Sequence, residues 1–181
     1  SALRPGAVPG RVSVLCPTHA RRHAVHRLVY RCFCEQTWPD KELIVLDTGG
    51  EPSPFFTTTR TGGEVNPVEY SRVLYLHLRE YPLSLGHKRN QLLQLASGEV
   101  VAHFDDDNLY APEYLSTMVE SLYQSQAQLV ELLGTFAWEP IPDRFTRHRM
   151  AGRGRAENFV HFRVPLAAAA FEHRNCGEEA G

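Results

Sequence analysis

The chain has 181 residues, a length typical of one domain. Hydrophobic residues make up 43% and charged residues 22%, so the chain can build a buried core and has the balance of a soluble protein. Its 19 lysines and arginines against 21 aspartates and glutamates give a net charge of −2, which favours neither nucleic acid nor a charged membrane surface as a partner.

The sequence predicts neither a membrane anchor nor an export signal in this chain. No apolar run reaches the ~18 residues of a membrane span. Residues 1–10 lack the apolar core of a signal peptide, and we expect them to form a flexible lead-in. The cysteines match no zinc module or disulfide framework, so we expect free thiols and a location in or facing the cytoplasm, alone or within a longer, anchored protein. These cysteines are Cys16, Cys32, Cys34 and Cys176.

Four short apolar runs that end in turn residues predict buried strands. In chain order they cover residues 11–18, 42–47, 72–78 and 100–104. A helical spacing of apolar residues predicts helices between and after them. The first covers residues 20–36, the second follows a loop within residues 85–99 and stops at Gly98, and the third covers 111–125 with Pro112 in the first turn. Residues 51–71 are predicted to form a long loop, 128–138 a strand, and residues from 139 no regular structure until 158–166.

Strands that alternate with helices predict an α/β domain with a mainly parallel sheet. Ligands of such sheets bind beyond the carboxyl ends of the strands. Residues with a possible chemical role lie at or directly after the ends of three predicted strands at that edge. They are Pro17 and Thr18 after the first strand, Asp47 after the second, and Asp105, Asp106 and Asp107 after the fourth.

The row of three aspartates needs a counter-cation, because adjacent carboxylates repel one another. Hard divalent ions such as Mg²⁺ and Mn²⁺ bind carboxylate oxygens together with the phosphate oxygens of a substrate. An ion held in this way would stabilise a leaving diphosphate. The alternative is a solvated acidic turn that caps the next helix.

Asp47 and the basic pair Lys88 and Arg89 each have two interpretations. Asp47 either closes a turn or accepts hydrogen bonds from a ligand. Lys88 and Arg89, on the predicted loop before a helix, either bind phosphates or form a solvated basic turn. A P-loop ATPase and a Rossmann dehydrogenase are disfavoured, because the chain has no Walker loop and no G-x-G-x-x-G after the first strand.

Two stretches of the chain resemble family 2 glycosyltransferases of the GT-A fold. They read VSVLCPTHARRHAVHRLVYRCFCEQTWPDKELIVLDTG and LGHKRNQLLQLASGEVVAHFDDDNLYAPEYL, and the likeness covers residues 11–134. It lies in the order of short motifs: a P-T turn after the first strand, Q-T-W-P before the second, K-R-N at a helix start, A-S-G-E before the fourth strand and D-D-D after it. The resemblance implies a Rossmann-like, mainly parallel sheet flanked by helices.

The same resemblance implies a hexosyltransferase-type reaction. A sugar would pass with inversion from a nucleotide diphosphate, usually UDP, to an acceptor that the sequence does not reveal. Asp105 and Asp107 match the D-x-D positions, which contact the ribose and an Mn²⁺ or Mg²⁺ ion, and Asp106 is the variable middle residue beside the nucleotide. Thr18 would contact the nucleotide and Asp47 the base. The remaining expected nucleotide contacts are Pro17, Lys88 and Arg89.

The chain departs from the family pattern at several places. The family often has a second acidic residue after the second strand and another after the D-x-D, where this chain has Thr48 and Asn108. An inverting transferase also needs a general base for the acceptor hydroxyl. Glu178 and Glu179, near the end of the chain, are the candidates for that base, and the alternative is a charged tail.

The resemblance divides the chain into a lead-in over 1–10, a nucleotide-sugar-binding half over 11–134 and a partial acceptor-side region over 135–181. The last region contains an arginine- and glycine-rich segment, residues 144–155, that we expect to be a mobile loop. Two hypotheses follow: a metal-dependent glycosyltransferase, or a truncated or degenerate domain that binds nucleotide or a protein partner without turnover. A nucleotidyltransferase is disfavoured, since CPTHARRH lacks the glycine-rich first loop that it needs.

Overall fold

The computed structural model describes residues 7–58, 72–79, 83–132, 134–139, 141–149 and 159–163. Its main sheet has six strands. They are β1 (Val8–Thr18), β2 (Lys41–Asp47), β3 (Val73–His77), β4 (Gly98–His103), β5 (Leu129–Glu131) and β8 (Phe159–Phe162). The spatial order is β3-β2-β1-β4-β8-β5. β1 to β4 are parallel and β8 is antiparallel to both β4 and β5, so the predicted α/β fold with a mainly parallel sheet is confirmed.

Helices cover both faces of this sheet. A 3-10 helix (Ala20–Val25) leads into α1 (His26–Glu35), and α2 (Pro54–Thr58), α3 (Leu85–Leu95) and α4 (Tyr114–Ser125) follow. α3 begins where the Ser84 hydroxyl accepts a hydrogen bond from the His87 amide, which satisfies one of the free amides of the first turn. α4 ends at Gln126, whose φ of 52° turns the chain out of the helix.

The core has two layers because successive side chains of a strand point to opposite faces. Val14 of β1 belongs to one apolar cluster, which also includes Phe33 of α1 and Leu115 of α4. Leu15, the next residue, belongs to the other cluster, together with Leu92 of α3. The continuous apolar run of β2, L-I-V-L, has the same explanation, since strands buried on both faces need apolar residues at every position.

Several boundaries differ from the sequence prediction, and the strand predicted over 128–138 is two strands, β5 and β6, which lie in different sheets. β1 begins at Val8, so three residues of the expected lead-in are strand. α2 lies inside the predicted loop of residues 51–71. Gly98 is the first residue of β4 and not a helix stop, and α3 ends at Leu95. Gly98 is required there because a Cβ atom would lie 2.6 Å from the carbonyl oxygen of Arg11.

The arginine-rich segment is partly strand, which corrects the prediction of a mobile loop. β6 (Gly134–Glu139) and β7 (Arg144–Arg149) form a separate antiparallel hairpin in which Trp138 faces Phe145. Sequence periodicity did not reveal β7, because this strand pairs only with β6 and does not bury an apolar face in the core. Phe145, for example, is 70% exposed. Arg153 and Arg155 lie outside the described residues.

Cys16 and Cys32 are buried free thiols, and Cys34 is partly buried. Cys176 lies outside the described residues. Among the helices of the described ranges, none has the length and apolar character that crossing a membrane requires.

Replacing Gly98 by alanine should destabilise the fold by about 1–3 kcal/mol, as overpacking in well-packed interiors does. The added methyl group would meet two backbone atoms, Arg11 O at 2.6 Å and Ser13 N at 2.8 Å, which cannot move without distorting β1. Urea denaturation measures the change. Gln94→Ala, an exposed change on α3, is the control and should leave the free energy of unfolding nearly unchanged. Equal stability of the two variants would contradict the packing argument.

Two buried histidines link β4 to β8. His161 Nδ1 donates to the Phe162 carbonyl oxygen (2.8 Å), so its Nε2 is an acceptor in the neutral ring, and His103 Nε2 donates to it at 3.1 Å. Burial lowers the pKa of His103 well below its ordinary value of 6.5, and burial also lowers the pKa of His161. Protonation of His161 would place two N–H groups against each other, so both rings are held neutral.

The fold should therefore lose stability in acid. The folded-state pKa of both histidines lies below the unfolded value of 6.5, so their contribution is fully present above that pH and is lost as the pH falls below it. The midpoint of thermal unfolding should decrease from pH 7 to pH 5, and the double variant His103→Leu/His161→Leu should show a flatter dependence. Gln94→Ala, at an exposed position of α3 without a titratable group, should keep the wild-type slope. Equal slopes in the double variant and wild type would contradict this.

Candidate active site

The carboxyl ends of β1, β2 and β4 meet at one place on the sheet edge. Thr18 pairs with Asp47 in register, and Leu15 pairs with His103, the last residue of β4. The chain continues past β4 with a hydrogen bond from the Phe104 amide to the Leu15 carbonyl (2.9 Å). Since β2 and β4 lie on opposite sides of β1, this is the point where the strand order reverses, which is where open α/β sheets bind ligands.

The three aspartates that follow Phe104 have different partners. Arg89 of α3 lies 3.3 Å from Asp105, and Arg22 of the 3-10 helix lies 2.8 Å from Asp107. Asp106 accepts a hydrogen bond from the Thr18 hydroxyl at 2.6 Å. Asp106 is the most enclosed, with 10% of its side chain exposed against 49% for Asp107. The three carboxylates are therefore not equivalent.

Burial raises the pKa of Asp106, and the Thr18 hydrogen bond and the Arg22 charge only partly oppose it. Asp47 shows the reverse balance. Burial would raise the pKa of its carboxyl, but hydrogen bonds from the Gly49 amide (2.9 Å), the Tyr75 hydroxyl (2.7 Å) and His23 (2.8 Å) hold it below the usual value. Asp47 is thus ionised and already has three donors in the free protein.

A directed chain of hydrogen bonds supports Thr18. Because the Thr18 hydroxyl donates to Asp106, it can only accept from His26 Nε2, which lies 2.8 Å away. His26 Nδ1 then accepts from the Ser53 hydroxyl at 2.7 Å. Burial lowers the pKa of His26 to about 4, so this tautomer is neutral at physiological pH. The orientation of Asp106 therefore depends on residues from β1, α1 and the segment before α2.

Lys88 and Arg89 lie inside the first turns of α3 and not on a loop before it. Both are buried, which excludes the solvated basic turn. The Lys88 ammonium donates to the carbonyl oxygen of Thr18 at 3.3 Å. The expected nucleotide contacts of β1, β2 and α3 are thus brought together with the three aspartates.

Sequence reasoning missed four residues that contact these expected ones. They are Arg22, His23, His26 and Tyr75. A signal was present, because His19, His23 and His26 recur at helical spacing directly after the first strand. A helix that starts at the carboxyl end of β1 can place the side chains of these histidines next to the site, as it does for His23 and His26. For Tyr75 the sequence carried no signal, since only the pairing of β3 with β2 brings it near Asp47.

Within the described part of the chain, two sets of side chains near this edge offer ligand atoms of the kinds that bind metal ions. Asp105 and Asp107 offer carboxylate oxygens at the open edge, the ligands that Mg²⁺ and Mn²⁺ prefer. His23, His26 and Asp47 form a second group whose ligand atoms lie within 4.8 Å of one another. The atoms of that group already hydrogen-bond to each other and to hydroxyls, whereas Asp105 and Asp107 are paired with Arg89 and Arg22.

Glu178 and Glu179, the candidates for the general base, lie outside the described residues. Asn108, the position where the chain leaves the family pattern, forms a turn in which its amide donates to the Asp105 carbonyl at 3.4 Å. The Tyr110 hydroxyl accepts from the Asp105 amide at 2.8 Å and fixes the same turn.

Comparison with known proteins gives the family and the fold of this chain. Residues 13–160 match the family model of glycosyl transferase family 2. The chain is 25% identical over 134 residues to the glucosyl-dolichyl phosphate glucuronosyltransferase of Haloferax volcanii, a match that covers 74% of this chain and 39% of that protein. The chain therefore spans well under half the length of this curated relative.

Solved structures share the fold. The mannosyltransferase PcManGT from Pyrobaculum calidifontis, in complex with GDP-Man and Mn²⁺, has a TM-score of 0.66 and 19% identity, covering 93% of this chain and 49% of its own. TarS 1-349 from S. aureus, in complex with UDP, has a TM-score of 0.55 and 18% identity, covering 67% and 34%. The family match over most of the chain and the shared architecture lead to one conclusion: this chain belongs to glycosyltransferase family 2 and has the GT-A fold.

Proposed function

We propose that this chain binds the donor of a metal-dependent, inverting glycosyltransferase that uses a nucleoside-diphosphate sugar. The observation that carries the proposal is the meeting of Asp47, Thr18 and the aspartate row at the point where the strand order reverses. That arrangement offers one carboxylate for a base and others for a cation and a ribose at one edge of the sheet. UDP is the nucleotide to test first, as the family resemblance suggests.

Each residue of the candidate site has a proposed role. Asp105 and Asp107 hold Mn²⁺ or Mg²⁺, and Asp105 and Asp106 contact the ribose. Asp47 accepts from the base, while backbone and side chain at Pro17 and Thr18 border the nucleotide. Lys88 and Arg89 supply positive charge beside the nucleotide. Lys88 is positioned by its hydrogen bond to the Thr18 carbonyl (3.3 Å), and Arg89 is positioned by its ion pair with Asp105 (3.3 Å). The bound metal would neutralise the charge that develops on the departing diphosphate.

The reaction also needs a base on the acceptor side. Glu178 or Glu179 would take the proton of the acceptor hydroxyl, whose oxygen attacks the anomeric carbon as the bond to the diphosphate breaks. Attack from the face opposite the leaving group gives inversion. The Haloferax relative is named for glucosyl-dolichyl phosphate, so lipid-linked sugar phosphates belong among the acceptors to test.

The second candidate function is nucleotide binding without turnover. It is favoured by the internal hydrogen-bond donors that Asp47 already has, the Gly49 amide, the Tyr75 hydroxyl and His23. A panel of nucleotide sugars separates the two functions, since only the transferase releases free nucleoside diphosphate.

Glu178→Gln and Glu179→Gln variants would then identify the general base, because its loss should slow transfer while donor binding stays unchanged.

UDP should bind only with Mn²⁺ or Mg²⁺, and Asp107→Asn should weaken this binding at least tenfold, the effect of losing about 1.4 kcal/mol. The amide keeps the size of the side chain but removes the charge that holds a divalent ion. Titration calorimetry with and without metal measures both effects.

The matched control for this variant is Asp40→Asn, which removes a carboxylate that pairs with Arg11 at 3.0 Å before β2, at the opposite sheet edge. It should bind UDP as the wild type does. Metal-independent binding of UDP, or equal loss in both variants, would overturn the assignment of the metal to this aspartate.

Asp47→Asn should reduce the preference for one base over another. An ionised Asp47 accepts N–H groups of uracil or guanine, whereas an amide presents a donor as well. Affinities for UDP, GDP and CDP with Mn²⁺, measured by calorimetry, test the change. If all three nucleotides lose affinity by the same factor, Asp47 stabilises the site but does not discriminate between bases, which would contradict the prediction.

A further inference from the structure

Arg22 interacts with two of the three aspartates at the exposed end of the row. Its Nη1 atom lies 2.8 Å from Asp107 Oδ2, and its Nε atom lies 3.9 Å from Asp106 Oδ1. The Arg22 side chain is 43% exposed and extends from the 3-10 helix that follows β1. One guanidinium therefore partly neutralises two neighbouring carboxylates in the free protein.

This position conflicts with a metal ion on Asp107. A divalent ion would bind a carboxylate oxygen at roughly 2.0–2.2 Å, and the guanidinium already binds Asp107 Oδ2. Two cations on one carboxylate repel each other. Asp106 is a poor alternative ligand for the ion, because its Oδ2 atom already accepts a hydrogen bond from the Thr18 hydroxyl at 2.6 Å. The ion and Arg22 therefore compete for Asp107.

We propose that Arg22 is an exchangeable counter-cation of the donor site. It neutralises Asp106 and Asp107 in the free protein, leaves Asp107 when a divalent ion binds there, and then binds the diphosphate of the donor. The inference rests on the proposed function, because it assumes that a metal and a diphosphate bind at this edge.

The surroundings of Arg22 suit this exchange. Its half-exposed side chain can change rotamer without opening the core, and a guanidinium matches phosphate oxygens in charge and in the spacing of its donors. Arg89 on the same row differs, since only 10% of its side chain is exposed and it lies against Asp105. Arg89 is a fixed charge, whereas Arg22 is positioned to move.

The exchange has two consequences of opposite sign. Without donor, Arg22 opposes metal binding, because the ion must displace it. With donor, Arg22 strengthens binding, because the diphosphate gains a charged hydrogen-bonding partner. The site would therefore favour loading of metal and donor together over loading of metal alone.

Arg22→Ala separates the two effects. Binding of Mn²⁺ alone, followed by electron paramagnetic resonance, should become about tenfold tighter, and binding of inorganic pyrophosphate at saturating Mg²⁺ about tenfold weaker, as for one charged hydrogen bond. Uridine, which has no phosphate, should bind equally well to the wild type and to Arg22→Ala. Arg22→Lys keeps the charge, so its Mn²⁺ affinity should stay near wild type while its pyrophosphate affinity lies between the two.

Arg31→Ala is the matched control. Arg31 pairs with Glu35 on the exposed side of α1, so this variant loses the same charge without touching the aspartates, and both affinities should remain at the wild-type value. Thermal unfolding of Arg22→Ala should match wild type, which separates a binding effect from loss of fold.

The possible failures can be told apart. Wild-type protein that binds neither Mn²⁺ nor UDP would refute the proposed function and this inference with it. Wild-type protein that binds both, with Arg22→Ala changing neither affinity or weakening both, would overturn the exchange alone.

Discussion

The parallel register of β1 between β2 and β4 is the constraint on which this site depends. It sets Thr18 opposite Asp47 and brings the end of β4 beside the same strand, so that Asp106 accepts from the Thr18 hydroxyl at 2.6 Å. A shift of one residue in either pairing would turn every side chain of the strand to the other face. The two apolar layers of the core oppose such a shift and thereby hold the polar cluster together.

The cluster is stabilised by partners and not by solvent. Asp47 has three donors, Asp106 has Thr18, and Asp105 and Asp107 each have an arginine. Buried carboxylates without such partners would protonate or destabilise the fold. The two arginines differ in burial, since 10% of the Arg89 side chain is exposed against 43% of the Arg22 side chain. The row of aspartates is therefore enclosed at the Asp105 end and open to solvent at the Asp107 end.

The elements that sequence predicted best were those whose pattern is local. β2 ends at Asp47 as predicted because an apolar run buried on both faces stops at a polar residue. β7 was missed because its pairing with β6 depends on a distant segment and its apolar side chain is exposed. Gly98 was misread as a helix stop, since only the approach of Arg11 from β1, at 2.6 Å, explains why no side chain fits.

The sequence by itself determined the order of β1 to β4, the main helices between and after them, and the chemistry at the ends of these strands, because these follow from apolar spacing and residue type. Tertiary structure alone decided which groups meet. His26 and Ser53 orient Thr18, Tyr75 and His23 hold Asp47, and Arg22 reaches Asp107. Such contacts join residues as many as 85 positions apart in the chain, as in the Arg22–Asp107 pair. Hydrogen bonds and ion pairs form by distance in space, which strand pairing sets and local sequence does not encode.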